Sequence, residues 1–130
     1  MTSFILSKDG QYSISPSGRS VFRTVASKFI TIPSGVTPAE INFNEGYNLK
    51  VTLAQDMTFN FHNPIDGERY LFILKQDSVG GRGITWPSNV TWGSGVEVSL
   101  GQASGVKDII TLFYEEEDDI YYGGFTTDFF

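Results

Sequence analysis

Side chains that ionise, attack or coordinate are scarce in this chain. Its 130 residues contain one histidine and no cysteine, so thiolate metal sites and disulfides are excluded. The histidine, His62, falls on the same parity as Thr58 and Asn60 in an alternating run, which predicts a solvated surface position. A Ser-His-Asp relay would have to be built on this one imidazole, and no strained G-x-S-x-G nucleophile turn occurs. The run Glu115-Glu116-Glu117-Asp118-Asp119 is the other concentration of reactive groups. Ca²⁺ takes six to eight oxygens, usually from alternate positions around a glycine bend. In extended backbone only Glu115, Glu117 and Asp119 share a side, a weak calcium candidate; a solvated hairpin tip is the favoured reading. Gly80-Gly81-Arg82-Gly83 is too short for a phosphate cradle and precedes no helix, so it reads as a turn. The expectation is no catalytic residue, no cofactor and no resident metal.

Aromatic rings are the abundant resource: 11 Phe, 6 Tyr and 2 Trp, 15% of the chain. Trp86, Trp92, Tyr121, Tyr122, Phe129 and Phe130 are the candidates for a subunit interface or for stacking on a glycan. The competing reading for most of them is core or sheet-edge packing, since each Trp and Tyr carries an apolar body with one polar handle. The formal net charge is -6. Removing the acidic run leaves 9 basic against 10 acidic residues (15 minus 5), thinly spread, so no basic patch stands ready for a row of phosphates and nucleic acid is not an expected partner. Residues 1–9 lack the basic start and apolar run of a signal peptide, and no apolar stretch is long enough to span a membrane, so synthesis in the cytosol and no membrane partner are expected.

The elements that must position these groups are strands. Tyr47, Leu49, Val51 and Leu53 alternate with polar residues, as do Met57, Phe59 and Phe61. Arg69–Gln76 and Asp108–Tyr114 are apolar on both faces, as for strands central to a sandwich or covered by a partner chain. Further strands are predicted at Phe4–Ser7, Tyr12–Ser15, within Ser20–Ile32, at Ile41–Phe43, Val96–Leu100 and Ile120–Phe125, with turns at 8–11, 15–18, 33–38, 44–46 and 63–68. Pro87 and the paired glycines exclude helix from the 77–93 stretch. Roughly ten short strands at 8–12-residue spacing predict an all-β fold, an antiparallel β-sandwich of jelly-roll type. Residues 1–45 are expected to be N-terminal strands or a docking arm and 46–130 the sandwich body, together one compact domain.

The order of three pieces resembles the C-terminal module of tailed-bacteriophage virion proteins, as in tail fibres, head fibres and decoration proteins. The pieces are the strand leading into Lys75-Gln76-Asp77-Ser78-Val79-Gly80-Gly81-Arg82, the segment Ile84-Thr85-Trp86-Pro87-Ser88-Asn89-Val90-Thr91-Trp92-Gly93, and Val106–Tyr114 with its return to Tyr121-Tyr122-Gly123-Gly124. The likeness covers about Tyr47 to Phe125; residues 1–45 are unmatched, and Glu115–Asp119 replaces a short Asp-Gly-type tip. The resemblance implies a non-enzymatic virion structural protein, a small capsid-decoration or fibre-type module that attaches to the particle as a homo-oligomer, a trimer favoured, with other virion proteins as partners. The alternative it leaves open is a receptor- or carbohydrate-binding module at a fibre tip, with a host surface glycan as ligand.

Overall fold

The computed structural model describes residues 13–14, 20–21 and 28–130. The strands and turns expected within the first 27 residues lie outside the described residues, apart from the short antiparallel pair β1 (Ser13–Ile14) and β2 (Ser20–Val21). Beyond them the chain forms β3 (Phe29–Thr31), β4 (Ala39–Asn42), β5 (Asn48–Leu53), β6 (Met57–His62), β7 (Arg69–Gln76), β8 (Ile84–Thr85), β9 (Val90–Trp92), β10 (Lys107–Glu115) and β11 (Ile120–Phe129). Helical structure among the described residues is limited to 3-10 turns at Phe43–Glu45 and Gly93–Gly95, so the all-β expectation holds.

The pairing differs from the expected antiparallel sandwich. Five of the eight strand pairings are parallel. β3, β5 and β7 stack in register in one sheet, and β4, β6 and β8 stack in a second. From β3 to β8 the chain therefore passes from one sheet to the other at each connection and climbs one strand per circuit: a flattened coil of three turns, β3–β4, β5–β6 and β7–β8. The first circuit takes about twenty residues, at the short end of the range for stacked repeats, and the second is longer, with Asn48 beside Leu71 and Met57 beside Ile84. Within the larger sheet the antiparallel pairings are those of β10, with β7 on one side and β11 on the other. β10 pairs with β7 and β11 with β10, while β9 adds a parallel edge, giving the six-stranded order β3-β5-β7-β10-β11-β9. A jelly roll has no such parallel stack, and that expectation is corrected.

β3 and β4, in the segment expected as N-terminal strands or a docking arm, form the first turn of the coil, and Ile32, Ala39, Ile41 and Phe43 are core residues. One further expectation changes. Val96–Leu100 is not a strand, since no neighbouring ladder accepts it, although Val98 and Leu100 still reach the core.

Alternation sends the even positions of β7 (Tyr70, Phe72, Leu74, Gln76) inward with Leu49, Val51 and Leu53 of β5 and Ile110, Leu112 and Tyr114 of β10. Met57 and Phe59 of β6 meet them from the smaller sheet. Phe59 stacks on Phe72 with ring centroids 5.7 Å apart, Phe43 stacks on Tyr70 at 3.8 Å, and Trp86 places its edge on both Phe59 and Phe72. Offset and edge-on pairs of this kind each add about 0.5–1.5 kcal/mol beyond the area they bury.

Candidate functional site

The glycine-rich turn after β7 is tied down from both sides. Asp77 Oδ1 accepts hydrogen bonds from the Val79 and Gly80 amides, and its Oδ2 receives Arg82 Nη2 at 2.9 Å. The Arg82 guanidinium, with those amides, holds the Asp77 carboxyl down at about 2. Gln76, buried to 1% exposure, donates to the carbonyls of Arg82 and Gly101 and accepts the Arg82 amide. The Gly81 and Gly83 amides are consumed by Gln102 O and Asp56 Oδ1. Gly80 has φ +82 and a Cβ there would strike the Gln102 carbonyl, so glycine is obligatory. With these amides spent internally, the turn is architecture and no anion cradle.

The aromatic candidates divide by burial. Trp86, Trp92 and Tyr121 are core residues at 8%, 7% and 3% exposure. Trp86 and Trp92 meet edge-on at 5.4 Å, and Tyr121 lies 4.7 Å from Tyr114. These three are corrected: rings wedged between sheets are not available to a glycan or a second subunit. Tyr122, Phe129 and Phe130 are exposed, as are Phe113 and Phe125. Tyr122 and Phe113 are paired in register on the outward face of the large sheet, with the Arg69 guanidinium 4.8 Å from the Phe113 ring centroid.

The acidic tip does not assemble into a metal site. Glu115 accepts the Tyr122 hydroxyl at 2.8 Å, and Asp119 accepts the Tyr114 hydroxyl at 2.8 Å and an Asn89 amide proton. The bond to Asp119 and burial push the Tyr114 phenol up to about 12. Among the described residues no three of His, Cys, Asp and Glu converge, so Glu115, Glu117 and Asp119 are withdrawn as a calcium candidate. The tip is a hairpin turn, with Asp119 at φ 54.

His62 is exposed, with Nε2 2.6 Å from Glu40 Oε1; Asn60 donates to the same carboxylate. The His62 bond is the chief influence holding the Glu40 carboxyl below its ordinary value. With Asn42 and Asn63 these residues form a polar row across the outer side of β4 and β6.

One grouping escaped the sequence reading. Lys50, Lys75 and Lys107 line a single groove of about 400 Å³ on the outward face of the large sheet, with Phe29, Thr31, Thr52 and Ile73. Each lysine lies on the outward parity of its strand, which the sequence shows, but their adjacency depends on which strands are neighbours.

Residues 33–119 match the model of the family described as "Putative phage tail fibre C-terminal domain". The match begins within the first turn of the coil, in the segment expected to be unmatched, and ends at the hairpin tip. Comparison with curated proteins gives no match, and neither does comparison with solved structures. With two thirds of its length on that family's model, the chain belongs to the phage tail fibre C-terminal domain family and is a structural component of the virion.

Proposed function

We propose that this protein is a non-enzymatic fibre-type module that works as a homo-oligomer, a trimer in the favoured arrangement, and attaches to the particle through other virion proteins. It is made in the host cytoplasm and functions after assembly. The observation that carries this reading is the outward side of β10 and β11. Phe113 at 39% exposure and Tyr122 at 42% face each other in register across adjacent strands on that side. Isolated apolar residues are normal on protein surfaces, whereas a contiguous aromatic patch marks an interaction surface. Aromatic rings and arginine are also the groups that dominate subunit contacts, and Arg69 lies over Phe113. The family description supports a fibre position over capsid decoration. The absence of catalysis is supported by the setting of His62, whose hydrogen-bond partner is the Glu40 carboxylate, itself bonded by the Asn60 amide.

Light scattering coupled to size exclusion tests it. The full chain is expected to run as a discrete oligomer, and the double variant Phe113→Ser/Tyr122→Ser to dissociate while keeping its β-sheet circular dichroism. A chain that stays monomeric across a wide concentration range refutes the reading.

A further inference from the structure

Three of the chain's 9 basic residues share the groove on the β3–β5–β7 side of the large sheet, where Lys107 also pairs in register with the exposed Phe129 of the hairpin and lies away from Phe113 and Tyr122. Register explains how they meet. One row across the sheet reads Thr52, Lys75, Lys107, and the next reads Thr31, Lys50, Ile73. Lys75 and Lys107 are thus directly opposite on neighbouring antiparallel strands, where Cβ atoms are about 4.5–5.5 Å apart and like charges destabilise the sheet. Lys50 adds a third ammonium, held 5.8 Å from the Phe29 ring centroid. The ion pairs among the described residues are His62–Glu40 and Arg82–Asp77, so none of these lysines is neutralised by a described carboxylate. A net-negative chain that sets two ammoniums face to face carries a local repulsion that a bound anion removes.

The rest of the lining narrows the ligand. Phe29 and Ile73 give an apolar wall, and Thr31 and Thr52 give hydroxyls that both donate and accept. About 400 Å³ accommodates a small organic ligand, larger than a bare ion needs. We propose that this groove binds an anionic saccharide. The phosphate or carboxylate lies between Lys75 and Lys107, the apolar face of the sugar rests against Phe29 and Ile73, and ring hydroxyls meet the two threonines. Three lysines in one short groove are too few to track a nucleic-acid backbone, where affinity grows with each phosphate neutralised. This site is independent of the subunit contact proposed above, because a monomer retains it whole.

Calorimetric titration of the full chain with a hexose 6-phosphate, a glucuronate oligosaccharide, a neutral oligosaccharide of equal length and inorganic phosphate tests the proposal. The expected result is binding of one or both acidic sugars, the stronger arm identifying phosphate or carboxylate, with the neutral sugar and inorganic phosphate each at least about tenfold weaker. Lys75→Gln and Lys107→Gln are each expected to weaken the acidic sugar about tenfold. Both are also expected to raise the melting temperature of the free protein by about 1–4 °C, because the facing charges no longer repel. Silence with both acidic sugars, equal affinity for the neutral sugar or for inorganic phosphate, or unchanged binding in both variants overturns the proposal. Light scattering on the same variants should show unchanged assembly; dissociation would make the lysines a subunit contact and also overturn it.

Discussion

Gly123 and Gly124 are adjacent in β11 and have opposite tolerances for one added methyl group. Gly123 is the register partner of Trp92 on β9, and a Cβ built there lies 2.6 Å from Cε3 and Cζ3 of that indole. The indole has no easy retreat, since it is 7% exposed and wedged between Trp86 at 5.4 Å and Phe125 at 6.0 Å. A Cβ at Gly124 meets nothing within 4 Å. Neither glycine has a positive φ, so backbone strain does not enter the comparison. Gly123→Ala must push Trp92 and its neighbours aside, an overpacking cost of about 1–3 kcal/mol. For a chain of this size each kcal/mol moves the melting temperature by roughly 3–6 °C, so the central expectation is a fall of about 6–12 °C. Gly124→Ala should be neutral or stabilise by up to about 1 kcal/mol, through the reduced freedom of the unfolded chain. Thermal unfolding followed by tryptophan fluorescence measures both, and only Gly123→Ala should shift the folded-state emission. Trp92→Phe in the Gly123→Ala background should recover part of the loss, a coupling that a generic strand defect would not produce. Equal melting temperatures for the two glycine variants would refute the packing of Trp92 against Gly123 of β11.

Two pH predictions follow from named groups. Asp77 titrates near 2 in the folded chain against about 3.8 unfolded, so its contribution is full above about 4 and is lost as pH falls through 2. Melting temperature should drop over that window in the parent and drop less in Asp77→Asn, and parallel acid limbs would refute the anchoring of the glycine turn. Tyr114 has the opposite sign: its phenol is raised to about 12 from 10, so its contribution is present below 10 and disappears as pH rises through 12. Tyr70, Tyr121 and Tyr122 are also raised, so the Tyr114 phenolate is identified by its loss from the late absorbance titration in Tyr114→Phe and should move earlier in Asp119→Asn; Tyr114→Phe should cost about 1 kcal/mol for the lost hydrogen bond.

Strand positions were legible because alternation is a local property. Tyr47–Leu53, Met57–Phe61 and Arg69–Gln76 read as strands from parity alone, and all three form within a few residues of those limits. Direction was not legible. Ala54-Gln55-Asp56 has a hairpin's length, and Leu53 and Met57 are both inward whether the chain folds back beside β5 or arches into the facing sheet. Nothing within the two strands chooses between them. The choice depends on β7, which returns alongside β5 in parallel register through contacts remote in sequence. The irregular circuit, with Asn48 beside Leu71 but Met57 beside Ile84, also hides any repeat that a periodic search would detect.

The same dependence on strand neighbours governs the surfaces. Trp86, Trp92 and Tyr121 resembled surface candidates because aromatic residues at strand ends suit interfaces as well as cores, and only the opposing sheet decides which. Phe113 belongs to a strand apolar on both faces, and the structure shows what its outer face does. Ile110 and Leu112 close the core while Phe113 is left outside beside Tyr122. The lysine groove is the extreme case. Lys50, Lys75 and Lys107 are spread over more than fifty residues as isolated charges on a thinly charged chain, and one parallel step and one antiparallel step of register bring them together. In a coil, any two outward positions one circuit apart become neighbours, so the recognition chemistry of such a surface is written across turns and is invisible along the chain. The antiparallel jelly roll expected from the sequence would have given these three lysines different neighbours, and with them no groove.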